Sequence, residues 1–82
     1  MAMEAPLENP DIRMQVGLRI KRLRDSAGFT QEDLADRTGI PRGYIADIEN
    51  GRYATSIVKI KKIADAFGIS MKDFFTDEVF ER

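Results

Sequence analysis

One start signal recurs along this chain, and it dictates short helices. In "FTQEDL" (29–34) and "ISMKDF" (69–74) a hydroxyl residue is followed three positions later by aspartate, with apolar residues five apart on either side. Thr30 and Ser70 suit the N-cap, and Asp33 and Asp73 stand where a capping-box acid reaches back. Phe29/Leu34 and Ile69/Phe74 have the spacing of a hydrophobic staple. Ile40 and Ile45 repeat that spacing around Pro41, whose missing N–H suits the first helical position. The stops are as regular: Gly28, Gly39, Asn50-Gly51 and Gly68 each follow an apolar-periodic run, as a C′ residue does.

Between these marks the apolar period is helical. Val16, Ile20 and Leu23 form one stripe, with Arg19, Lys21 and Arg22 between them, and Ile57, Ile60, Ile63, Ala64 and Phe67 form another. The pattern predicts helices over about 12–27, 30–38, 41–50, 56–67 and 70–80, with no strand signal. Residues 1–11, with Pro6 and Pro10 and no apolar period, read as a flexible arm before a single domain over 12–82. The expected fold is all-α, five short helices around an aliphatic core. Two of them joined by about three residues around Gly39 form a helix-turn-helix.

Composition narrows the chemistry. A chain of 82 residues holds one modest core. It has no cysteine and no histidine, so disulfides, thiolate metal sites and the commonest general base are absent. No nucleophile–base pair or glycine-rich phosphate loop accompanies the abundant carboxylates, and no enzyme activity, cofactor, metal or small-molecule ligand is expected. No apolar run nears the roughly 20 residues that span a bilayer, and the acidic N-terminus is unlike a signal peptide, so a cytoplasmic protein is expected. The net charge of −1 conceals an alternation: −2 over 1–10, +3 over 11–28, −3 over 29–51, +3 over 52–68 and −2 over 69–82. Basic edges can therefore coexist with an acidic average.

From "GLRIKRLRDSAGFTQEDLADRTGI", "YIADIENG" and "IKKIADAFGIS", in this order and at these separations, the chain resembles the phage-repressor-like (Cro-type) helix-turn-helix family, which includes restriction–modification controller proteins. The resemblance covers about Val16 to Phe75. It implies a compact lambda-repressor-like DNA-binding domain acting as a transcriptional regulator on a pseudo-palindromic operator in duplex DNA. The third helix would enter the major groove, where each base pair shows its own donor and acceptor pattern. On that helix Arg42, Gly43, Tyr44 and Asp47 are the expected base-facing residues. Thr30, Gln31, Asn50, Arg52 and Tyr53 are the expected backbone contacts, Gln31 holding a phosphate at a helix N-terminus. Further phosphate-binding cations are expected among Arg19, Arg22, Lys59, Lys61 and Lys62.

The segment 29–51 carries five acids against two arginines, an odd balance for a DNA reader. Glu32, Asp33 and Asp36 lie on the second helix, where acids near the start cap it and complement its dipole. Glu49 matches the position at which related repressors pair a buried glutamate with an arginine of the first helix, here Arg24. Only Asp47 is left on the reading face, to accept from cytosine or to repel phosphate in a wrong register. Arg42 suits bidentate guanine recognition or an exposed water or phosphate contact, and Tyr44 suits base contact, phosphate contact or packing.

The C-terminal "MKDFFTDEVF" holds Met71, Phe74, Phe75, Val79 and Phe80, too many apolar residues for one last turn to bury. One or two belong inside, and the remainder form an expected two-fold homodimer contact. A protein-interaction module, such as an antitoxin-like partner in a heteromeric complex, is the alternative reading.

Overall fold

The computed structural model describes residues 11–81, so most of the expected arm, residues 1–10, lies outside the described residues. Five α-helices follow in order: α1 (Ile12–Ala27), α2 (Gln31–Thr38), α3 (Arg42–Glu49), α4 (Ile57–Ala66) and α5 (Met71–Phe75). A 3₁₀ turn, Glu78–Phe80, closes the described chain. The all-α, five-helix expectation holds.

The start signals act as their chemistry requires. Thr30 Oγ1 accepts from the Asp33 N–H at 3.0 Å while Asp33 Oδ2 accepts from the Thr30 N–H at 2.9 Å, a complete capping box on α2. The Thr30 N–H first, and the Thr30 side chain after it, hold the Asp33 carboxyl below its ordinary range. The cap's contribution is thus present above the usual aspartate pKa of about 3.9 and lost as pH falls through the depressed value. Ser56 and Ser70 cap α4 and α5 by accepting from the Lys59 and Asp73 N–H, but no carboxylate returns the bond, so the box expected at Asp73 is only half made. The inner members of the three staples, Leu34, Ile45 and Phe74, are all buried, and with Val16, Ile20, Ile48, Ile60 and Ile63 they make the core.

α3 begins one residue later than expected. Pro41 has an extended ψ of 142° and occupies the N-cap, with its carbonyl accepting from Tyr44 and Ile45, so it precedes the first helical residue.

The glycine that decides the packing lies inside a helix. A Cβ on Gly17 would sit 2.4 Å from the Ile48 carbonyl oxygen and 2.7 Å from that of Glu49. Gly17 is buried in α1, and its bare backbone lets α1 press directly on the last turn of α3.

The expected helix over 70–80 is corrected: α5 stops at Phe75. The Thr76 hydroxyl donates to the Lys72 carbonyl, and Asp77 starts a new turn by accepting from the Val79 N–H. The chain then folds back on α1, where Gln15 Nε2 donates to the Val79 carbonyl at 2.8 Å. Phe74, Phe75 and Phe80 meet ring to ring at 5.0–6.4 Å. As expected, part of this apolar set belongs inside. Phe74 is wholly buried and is no dimer contact, Met71 and Phe80 pack on the core, and only Phe75 of this group is exposed.

Arg19 secures this terminus, which also corrects its expected role as a phosphate ligand. Its Nε donates to the Phe74 carbonyl at 2.7 Å, its Nη2 to that of Asp73 at 2.8 Å, and its Nη1 pairs with Asp77 at 3.2 Å. It thus satisfies the last carbonyls of α5 with a cation, the favourable charge for a helix C-terminus. Arg22 is half-engaged nearby, with Asp77 and Glu78 at 3.4 and 3.5 Å. Arg19→Met is expected to remove about 1.5–3 kcal/mol, the usual worth of hydrogen bonds to a charged group. Urea unfolding reads that loss, and faster hydrogen exchange at Thr76 and Phe80 locates it.

Candidate nucleic-acid interface

α3 is held from behind by Ile45 and Ile48, which are 1% exposed. At 100° per residue the direction opposite those two isoleucines falls on Gly43 and Asn50, with Ala46 and Asp47 on either side. Arg42 and Tyr44 stand at the two edges of this face. Arg42, Gly43 and Asn50 are exposed, and Asp47 and Ala46 are half-buried. Gly43 has open space around it, so the centre of the face is a flat strip of backbone. Ala46 was missed among the expected base-facing residues, although its i+4 relation to Arg42 and i+3 relation to Gly43 would have found it.

The edges differ in freedom. Arg42 makes no ion pair among the described residues. Tyr44 is half-buried, its ring 5.2 Å from that of Tyr53, with Lys59 Nζ 5.2 Å from its centroid. A cation over a tyrosine face is attracted by the ring quadrupole, so this trio forms a small positively charged shelf beside α3. Asp47 is paired with Arg52 at 3.6 Å, across the turn that ends α3. The Arg52 N–H also donates to the Asp47 carbonyl at 2.9 Å, which keeps the two residues together.

Behind the face lies the ion pair that sets its angle. Arg24 Nε donates to Glu49 Oε2 at 2.8 Å and Nη2 to Oε1 at 3.1 Å, while Nη1 donates to the Phe29 carbonyl at 2.8 Å. The Glu49 side chain is 4% exposed and that of Arg24 13%. The hydrogen bonds to Glu49 raise the Arg24 pKa further above the arginine range, so the guanidinium is charged throughout. Gln31 joins the same carboxylate, its Nε2 donating to Glu49 Oε1 at 3.0 Å. Thr30 and Gln31 thus sit together at the start of α2, where the first amides have no partner within the helix.

The structure therefore brings Thr30, Gln31, Arg24 and Glu49 to one end of the helix-turn-helix. Asn50, Arg52 and Tyr53 follow close behind Glu49, on the exposed turn after α3. Lys61 is paired with Asp65 on the outer side of α4. Phe75 shares a depression with Ile12, Tyr53 and Ile60. Among the described residues no acidic cluster suits a metal ion, and no helix is long and apolar enough to cross a membrane.

An outward helix face held by a capped helix before it and a charged turn behind it is the geometry of a helix-turn-helix reader, and the family model of that description matches residues 20–74. The chain belongs to the HTH_3 helix-turn-helix family. That match spans α2, α3 and α4 entire, and its members are transcriptional regulators. The chain is 34% identical over 68 residues to control protein C.MunI of Mycoplasma sp, covering 82% of this chain and 92% of that protein. It is 38% identical over 65 residues to the immunity repressor protein of Bacillus phage phi105, covering 79% of this chain but 45% of the longer repressor. Among solved structures, the restriction–modification controller protein C.AhdI from Aeromonas hydrophila superposes with a TM-score of 0.74 at 34% identity, covering 78% and 97% of the two chains. The controller protein C.Esp1396I, solved as a tetramer with its natural 35 base-pair operator, gives 0.78 at 29% identity, covering 89% and 95%.

Proposed function

We propose that this HTH_3 chain is a sequence-specific regulator that seats α3 in the major groove of duplex DNA. Two copies would occupy a pseudo-palindromic operator. The observation that carries this reading is the outward face of α3, with Arg42, Gly43 and Asn50 exposed and Ala46 and Asp47 half-exposed while the opposite side is locked into the core. The operator in the C.Esp1396I complex supports it by analogy. Arg42 is the base-reading arginine, suited to guanine O6 and N7, and Ala46 offers a methyl that a thymine methyl can meet. Gln31, Thr30, Arg52 and Tyr53 hold the flanking phosphates and sugars, which fix register without reading sequence. Asp47 both screens Arg52 and repels phosphate, so the face favours one docking register.

The homodimer contact of this reading uses the surface around Phe75 and Ile12 rather than the buried Phe74. Both are exposed and apolar in the described protomer. A two-fold axis there sets the recognition helices about 34–36 Å apart, one helical turn of DNA.

Selection from random duplexes at about 0.15 M salt tests the reading, because specificity is defined only at a stated ionic strength. A two-fold symmetric motif is the expected result, and no enrichment at all would defeat it. Arg42→Ala is expected to cost about 1–3 kcal/mol at one operator position, whereas Arg52→Ala weakens all sequences and lowers the salt slope by about one. Equal loss on operator and random duplex from both substitutions would remove Arg42 from base readout.

A further inference from the structure

We infer that Glu49 is a positioning residue for phosphate binding: the carboxylate that locks α3 to α1 also presets the Gln31 amide at the start of α2. This rests on the DNA-binding reading above. Glu49 Oε1 receives two donors, Gln31 Nε2 at 3.0 Å and Arg24 Nη2 at 3.1 Å, and Oε2 receives Arg24 Nε at 2.8 Å. An ionised carboxylate only accepts hydrogen bonds, so the nitrogen of the Gln31 amide must face it and the amide cannot flip. One N–H of that nitrogen is spent on Glu49. The other remains for an anion beside the unpartnered amides of the first turn of α2.

A free glutamine side chain spends rotamer entropy when it closes on a ligand, and a prepositioned one does not. Gln31 is half-buried and tied to a group that is 4% exposed, so its rotamer is fixed before DNA arrives. The same carboxylate lies in the last turn of α3, and its partner Arg24 lies on α1. Phosphate contact at α2 is thereby coupled to the pose of the reading helix. Linkage makes this mutual: whatever Glu49 adds to phosphate affinity, bound phosphate adds to the hold on Glu49.

The test is a double-mutant cycle read by fluorescence anisotropy on a duplex of random sequence at two salt concentrations. Gln31→Ala in the wild-type protein is expected to weaken binding about 10-fold, the order of one hydrogen bond to a charged group. The second background is Arg24→Met with Glu49→Leu, which removes the carboxylate without leaving an unpaired arginine. There Gln31→Ala should cost less than about 3-fold, because the side chain is no longer preset. If that background does not fold, Glu49→Gln replaces it: the neutral amide offers one acceptor oxygen in place of two charged ones, so it holds the Gln31 nitrogen more weakly even where it still accepts from it. The side-chain amide protons of Gln31 supply a separate NMR readout: slow exchange is expected in the wild type, and fast exchange in either background. Equal cost of Gln31→Ala in both backgrounds, or unprotected Gln31 amide protons in the wild type, overturns the inference while leaving DNA binding intact. Failure of the wild type to bind any duplex overturns the proposed function instead.

Discussion

Gly17→Ala is expected to destabilise the protein by about 2 kcal/mol or more, although alanine is the better helix former by about 1 kcal/mol. The new methyl would stand 2.4 Å from one backbone oxygen of α3 and 2.7 Å from the next. Overpacking a close-packed contact costs about 1–3 kcal/mol and sometimes more, and here the obstacle is main chain, which cannot move aside as a side-chain tip can. In a domain of this size each kcal/mol is worth roughly 4–8 °C in Tm, so a fall of about 8–16 °C should be seen by calorimetry. Gly43→Ala is the matched control. It is also a helical glycine, in the first turn of α3, but nothing lies within 4 Å of its added Cβ, so the propensity gain, smaller there than in a helix interior, should appear alone as a rise in Tm. A rise for both substitutions would mean that α1 and α3 do not touch as described.

Gly17 also shows where reading the sequence ends. Capping signals and stops are local, encoded within six residues, and they placed α2 and α4 within a residue or two of their observed bounds. A glycine in the middle of a helical stripe carries no local sign of what presses on it. It reads as a weak helix former and is a close-approach site only because Ile48 and Glu49, some thirty positions later, arrive there. The same holds for Arg19, whose place between core residues of α1 suggests a solvated cation. Its partners are the carbonyls of Asp73 and Phe74, which only the folded chain brings near.

The C-terminal segment failed for a different reason. Its apolar residues do continue past Phe75, but Thr76 and Asp77 bond to the local backbone and offer it an alternative to helix. Once the chain turns there, Phe80 reaches back toward Phe74 and no long apolar stripe is left over. On the candidate interface the inward residues Ile45 and Ile48 were legible from period alone, and they define the outward face by exclusion. The roles of Gln31, Arg24 and Glu49 came from the resemblance. Their meeting on one carboxylate is a property of the fold, since it joins three helices.

That junction makes Arg24→Met the substitution with the largest expected effect. The guanidinium supplies both oxygens of Glu49 with a donor and spends its third on the Phe29 carbonyl, just before the α2 cap. Methionine fills much of the same volume and donates nothing, so Glu49 would stay 4% exposed with Gln31 as its one remaining side-chain donor. Breaking one side of a buried ion pair costs about 3–5 kcal/mol because a charge is left without compensation. That is a large share of the roughly 5–15 kcal/mol that holds a domain folded. Removing both charges is a different matter: Arg24→Met with Glu49→Leu exchanges an expensive desolvated pair for apolar contact, and such exchanges are neutral or stabilising. The double variant should therefore recover most of the single variant's loss in urea unfolding, and so show that the pair fixes an orientation more than it adds stability. Recovery of stability without recovery of operator specificity would assign the pair to the aim of α3, whereas a double variant no more stable than Arg24→Met would mean that the arginine is needed for its packing and its bond to Phe29, whatever the state of Glu49.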